Sequence, residues 1–137
     1  FVIANGAAAM GKKVTMFFTF WGLNVIKKRE KVAVKKDIFG KMFGMMLPSS
    51  SKALSLSKMN MGGIGSKMMR FIMKKKNIDS LESLIEQAQK NGIEMIACTM
   101  SMDVMGVKEQ ELMDGVTLGG VATYLERVEE SNMSLFI

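Results

Sequence analysis

The strongest constraint on the fold is the stretch Val14-Thr15-Met16-Phe17-Phe18-Thr19-Phe20. It is a nearly unbroken apolar run of strand length, rich in β-branched and aromatic residues, and it lacks the polar alternation of a half-solvated strand. Such a run predicts a strand covered on both faces, the usual condition of a central strand in a parallel sheet. The flanking sequence supplies the cover. Residues 1–9 read as the latter part of a helix that stops at Gly11, after Met10. Trp21 to Ile26 reads as a turn and short helix closed by the basic run Lys27-Lys28-Arg29.

The same alternation continues downstream. Asp79 with Glu82 three residues later makes a capping-box-like start, and Leu81, Leu84, Ile85 and Ala88 mark one apolar helical face that ends at Asn91-Gly92. A short strand, Ile93 to Cys98, follows, and Thr99 or Ser101 is placed to cap the next helix. Glu109 to Met113 suggests a helical turn and Gly115 to Leu118 a strand. Gly119-Gly120 then opens a helix on which Val121, Tyr124, Leu125 and Val128 share a face. Ser134 to Ile137 is expected to form a last, edge strand. Helix and strand alternating in this way predict an α/β layer architecture with a mostly parallel sheet. A chain of 137 residues, 48% hydrophobic and 23% charged, is expected to form one globular domain, 1–137, with a core built on apolar burial.

Residues 40–76 break the pattern. They hold eight of the methionines, the only proline (Pro48), a serine cluster at 49–51 and Gly62-Gly63 with Gly65. This segment is expected to be an insertion with short helices on either side, Met68 to Met73 being helical before Lys74-Lys75-Lys76. Methionine suits an adaptable lid or interface better than a Cu(I) site. Gly62 to Lys67 lacks both the spacing and the preceding strand of a phosphate loop.

Charge is divided unevenly. Residues 1–78 hold 16 Lys and Arg against Glu30 and Asp37, whereas 79–137 hold 3 against 11 Asp and Glu, which leaves +14 and −8. The basic half suits an anionic partner or the acidic face of another subunit. A peripheral contact with an anionic membrane surface through 52–76 follows from the lysines there. Nucleic acid is not expected, because the candidate aromatics of the basic half are phenylalanines that look buried in strands and offer no stacking platform. No run approaches the length of a membrane-spanning helix, since lysines interrupt every hydrophobic stretch.

The chain has no histidine and one cysteine. The first fact excludes Ser-His-Asp and Cys-His chemistry and removes the commonest metal ligand, so neither a metal nor another cofactor is expected. The second forbids an intrachain disulfide and makes a reducing cytoplasm the expected compartment. Cys98 falls where a strand hands over to a helix, the edge at which open α/β sheets gather ligands. The helix dipole and the Thr99 and Ser101 amides would favour a thiolate there, and the thiolate is the reactive form. A free cysteine is among the most buried residue types and usually behaves as a small hydrophobe, so a purely structural Cys98 is the alternative.

The stretch Ile96 to Val107, together with Asn5 to Gly11, Phe17 to Leu23 and Gly119 to Leu125, resembles the DsrE/DsrF/DsrH-like family. It is most similar to the Met-rich branch sometimes labelled peroxiredoxin-like or found fused to pyridine-nucleotide disulfide reductases. The resemblance implies a flavodoxin-like three-layer α/β/α fold, homo-oligomerisation, and a sulfur carrier or sulfurtransferase role in which a cysteine takes up sulfane sulfur as a persulfide and relays it. That cysteine maps to Cys98, with Thr99, Ser101 and Asp103 in support and Gly119 and Gly120 forming a sulfur-stabilising rim. Sulfur donor and acceptor proteins, or small thiols, are the implied partners. With no second cysteine in the chain to resolve the adduct, unloading would use a thiol from another molecule. Family members begin with a strand before the first helix, so the N-terminal strand is expected to be absent here. Peroxidase chemistry is not expected, because Gly92 to Ala97 does not match the Pro/Thr-x-x-x-Thr/Ser-x-x-Cys loop of peroxide-reducing enzymes.

Overall fold

A computed structural model describes residues 1–28, 30, 32, 34–36, 38–54 and 64–135. Helix α1 (Val2–Ala9) leads to strand β1 (Thr15–Phe18), and a 3-10 helix (Phe20–Asn24) follows it. Helices α2 (Ile38–Met46), α3 (Ile64–Lys75) and α4 (Leu81–Lys90) separate β1 from β2 (Glu94–Cys98). Helix α5 (Thr99–Met105) connects β2 to β3 (Val116–Gly119), and α6 (Val121–Glu129) comes last.

The sheet is parallel throughout, in the order β1-β2-β3, with Phe18 beside Ala97 and Cys98 beside Gly119. Both crossovers step in the same direction, so right-handed connections place their helices on one face. The contacts agree. Met95 and Ala97 of β2 pack with Phe18, Leu23, Ile26, Met102, Met105 and Leu112, while Ala4 of α1 and Ala88 of α4 extend the same layer with Ile93. Strand alternation sends Glu94, Ile96 and Cys98 to the opposite face. There α6 provides the cover: its Tyr124 ring lies 5.3 Å from that of Phe17, and its Arg127 bonds Glu94. The architecture is α/β, consistent with a flavodoxin-like three-layer fold.

Several local expectations need correction. The first strand stops at Phe18, because its ladder with β2 runs out where β2 turns into α5; Phe20 instead opens the 3-10 helix at φ +39°. The cap of α4 is Ser80, not Asp79: the Ser80 hydroxyl accepts from the Ser83 amide at 3.2 Å, while the Asp79 carboxylate accepts from the Ser83 hydroxyl at 3.0 Å. Helix α5 begins at Thr99 directly after β2, which makes Cys98 itself the N-cap, with no side-chain cap bond. On α6 the apolar stripe is turned aside. Thr123, Tyr124, Arg127 and Val128 are half-buried, and Val121 and Leu125 are exposed. The Arg127–Glu94 pair fixes that rotation. Ser134 and Leu135 form no strand, and the remainder of the expected edge strand lies outside the described residues.

Helix α3 extends the helical segment expected at Met68 to Met73, and none of its residues is buried. Of the insertion, 55–63 lie outside the described residues, and with them Gly62 and Gly63 of the Gly62 to Lys67 motif, whose remaining residues open α3. Among the described residues no helix is long and apolar enough to cross a membrane.

Candidate functional site

The carboxyl edge of the sheet is assembled by three strand ends. β1 delivers Phe18 and Thr19, β2 delivers Cys98, and β3 delivers Gly119 next to it. This is the expected location for chemistry in an open parallel sheet, because strand ends and the helix starts after them meet there. Cys98 is a free thiol and is 3% exposed. Thr99 is exposed, and its hydroxyl donates to the Gly119 carbonyl at 3.4 Å, tying the start of α5 to the end of β3.

Gly119 is glycine for a packing reason. A Cβ built there would sit 2.7 Å from Ile96 Cγ2 and 3.2 Å from Thr123 Cβ, so the absent side chain is what lets α6 approach β2. Gly120 caps α6 in extended conformation and has open space around it. The structure thus brings Cys98, Thr99 and Gly119 together, with Gly120 one residue further on.

Ser101 and Asp103 part company. Ser101 is fully buried one turn after Cys98, and its Oγ has no hydrogen-bond partner among the described residues. Asp103 lies on the exposed side of α5 with Val104. Sequence reasoning missed Asn24. It is 1% exposed at the end of the 3-10 helix after β1, its amide nitrogen donates to the Trp21 carbonyl at 3.2 Å, and its Oδ1 is the other buried side-chain atom without a partner among the described residues. The 3-10 helix packs against α5, so both orphan oxygens belong to neighbouring elements. Buried polar atoms are normally paired, and nothing in the pattern of a lone Asn or Ser marks one that is not.

Phe20, expected within the first strand, is exposed, and so are Trp21 and Phe71. Phe20 holds a left-handed backbone that a non-glycine residue rarely adopts, immediately beyond the end of β1. Met100 and Val104 on α5, Leu118 on β3, and Val121 and Leu125 on α6 are exposed as well. Among the described residues no group of three or more Cys, Asp and Glu side chains is placed to hold a metal ion.

The sheet is parallel and the single thiol of the chain stands at the end of its central strand. The chain belongs to the DsrE/DsrF/DrsH-like family, whose model matches residues 1–136. It is 49% identical over 137 residues to an uncharacterised protein, YrkE, of Bacillus subtilis, covering 100% of this chain and 86% of that one. It is 36% identical over 141 residues to the sulfur carrier protein DsrE2 of Allochromatium vinosum, covering 100% of this chain and 87% of that one. A sulfur-relay role is supported at the level of the family.

Proposed function

We propose that this protein is a sulfur carrier or sulfurtransferase component that accepts sulfane sulfur on Cys98 and passes it to a thiol of a partner. One observation carries the reading: the only thiol of the chain ends the central strand, in a chain similar over its whole length to a sulfur carrier.

In the loading step the Cys98 thiolate attacks the outer sulfur of a donor persulfide. A new Sγ–S bond forms as the donor's S–S bond breaks, and the donor leaves as a thiolate. Unloading repeats the exchange, an acceptor thiolate taking the outer sulfur while Cys98 leaves as thiolate. Neither step changes the overall oxidation level, so no external oxidant or reductant is required. The Ser101 hydroxyl and the amides beside Gly119 and Gly120 support the anionic sulfur, and Thr99 holds the two strand ends together. Asp103, on the outer side of α5, acts on the approaching partner. Because Cys98 is 3% exposed, loading requires opening of this edge. Donor and acceptor are proteins or small thiols. The exposed Val121 and Leu125 of α6 suit a homo-oligomer, and the unpaired thiol suits the cytoplasm.

Incubation with a low-molecular-weight persulfide followed by intact mass measurement tests this. The wild type gains one sulfur atom and Cys98→Ala gains none; equal gain by both, or none by either, overturns the assignment.

A second reading has its own observations. The burial of Cys98 suits a structural thiol in a binding scaffold. On α3, Ile64, Met68, Phe71 and Ile72 share an exposed apolar face, while Lys67, Arg70, Lys74 and Lys75 supply positive charge without an acidic residue. That combination suits the surface of an anionic bilayer. Sedimentation with anionic vesicles at low salt, reversed at high salt and lost in Phe71→Asp, is the expected result; no sedimentation removes this reading.

A further inference from the structure

Two helices on opposite faces of the sheet leave a stripe of apolar side chains in water. On α3 the stripe runs through Ile64, Met68, Phe71 and Ile72, at the spacing of one helical face, and no residue of the helix is buried. On α6 it runs through Val121, Ala122 and Leu125, because Tyr124 and Arg127 take the side turned to the sheet. Neither stripe covers the other within one chain. The Arg70 guanidinium ties α3 to the Leu54 carbonyl, just beyond the turn Ser51–Ala53, which packs on α4 and bonds its Glu82 through Ser51. Helix α6 lies across the sheet from there, over Phe17 and Glu94.

The charges beside the two stripes are opposite in sign. Helix α3 carries Lys67, Arg70, Lys74 and Lys75 and no acidic residue. Helix α6 carries Glu126 and Glu129 on its outer side, and its single cation, Arg127, is committed to Glu94 through bonds of 2.9 and 3.2 Å. Among the described residues Lys67, Lys74, Lys75 and Glu129 make no ion pair. The order along the helices matches as well. Ile64 and Met68 precede Lys74 and Lys75, as Val121 and Leu125 precede Glu126 and Glu129. Laid side by side in the same direction, the helices bring stripe to stripe and lysine to glutamate.

We infer that α3 of one copy of this chain docks on α6 of a second copy, apolar stripe against apolar stripe, with the lysines of one over the glutamates of the other. A short helix draws most of its stability from burying its apolar face, and α3 obtains that burial only from a neighbour. An anionic bilayer covers α3 but repels the acidic side of α6, whereas a second copy answers both. The two patches differ, so the contact is head-to-tail and repeats from copy to copy into a ring or a filament. The inference rests on the homo-oligomer proposed from α6 and is independent of sulfur transfer at Cys98.

Analytical ultracentrifugation of the whole chain and of charge-reversed variants tests it. The wild type is expected to associate. Lys67→Glu with Lys74→Glu, and separately Glu126→Lys with Glu129→Lys, raise the concentration of half-association by about tenfold or more, since each sets like charges face to face. The chain carrying all of these substitutions regains association, which a merely misfolded variant does not. Association unchanged in either single-helix variant keeps the homo-oligomer and overturns this contact; failure of the combined variant to associate overturns it too. A monomeric wild type overturns both, and its sedimentation with anionic vesicles would then assign α3 to the membrane. Should a reversed variant fail to fold, cross-linking decides. In a Cys98→Ala background, which has no other thiol, chains with Phe71→Cys are mixed with chains with Leu125→Cys and treated with a short bifunctional maleimide. Cross-linked dimer in the mixture beyond that of either chain alone supports the contact, and an equal or absent yield overturns it.

Discussion

Cys98 and Gly119 occupy the same rung of the sheet, and the Thr99 hydroxyl closes the pair by donating to the Gly119 carbonyl at 3.4 Å. Gly119→Ala therefore tests the geometry of the thiol-bearing edge. Its Cβ would meet the Cγ2 of Ile96, a side chain 1% exposed, at 2.7 Å. Overpacking of this kind costs roughly 1–3 kcal/mol. Urea denaturation is expected to give a lower midpoint with an unchanged slope; a midpoint equal to that of the wild type contradicts the close approach of α6 to β2.

Gly106 poses the sharper case. It ends α5 at φ +62°, and a Cβ there would collide with the backbone of Gly40 on α2. Both the conformation and the contact oppose a side chain, so Gly106→Ala is expected to destabilise the fold by roughly 2–3 kcal/mol, more than Gly119→Ala. Equal stability of the two alanine variants in the same denaturant series would show that α2 and α5 are not this close.

The legible parts of the fold are those in which one local rule suffices. The apolar run around Phe17 announces a covered strand, and Asn91-Gly92 ends α4 as its composition says, with Gly92 at φ +68°. What escaped the sequence depends on contacts distant along the chain. The Arg127 guanidinium reaches Glu94, 33 positions away, and so turns Val121 and Leu125 outward against their apolar pattern. The site divides in the same way. Strand-to-helix order places Cys98 at the sheet edge, but only the strand order shows that Gly119 is its neighbour. The unpaired oxygens of Ser101 and Asn24 leave no trace in composition or period.

Ser101 separates support of sulfur from support of the fold. Its Oγ is buried without a partner among the described residues, so removing the oxygen removes a desolvation penalty. Ser101→Ala is expected to be more stable by about 1 kcal/mol, while its rate of sulfur loading at Cys98 falls. Thermal denaturation and time-resolved mass measurement on the same sample check both; unchanged loading removes Ser101 from the proposed site.

The Glu94 carboxylate is held below the ordinary range first by hydrogen bonds from Arg127, against the opposing effect of burial, with Thr15 adding a bond at 2.8 Å. A depressed carboxylate contributes stability that is present above its unfolded pKa of about 4.3 and is lost as pH falls through the folded value. Glu94→Gln is therefore expected to melt lower than the wild type at pH 7, the gap closing as pH falls below about 4. A gap independent of pH would mean that packing, and not charge, sets the effect.

For Lys27 the linkage runs the other way. Burial pushes its ammonium below the ordinary lysine range and Lys36 adds to this, while Glu111 draws it partly back. A lysine with a lowered folded pKa binds its proton more weakly in the folded chain than in the unfolded one. It therefore opposes folding at every pH below the folded value, and that opposition fades as pH rises toward the unfolded value of about 10.4. Lys27→Met nearly keeps the side-chain length and removes the charge. It is expected to melt above the wild type at pH 7, with the advantage shrinking toward pH 10. A Lys27→Met protein that is less stable than the wild type at neutral pH shows that the ammonium is already satisfied within the fold.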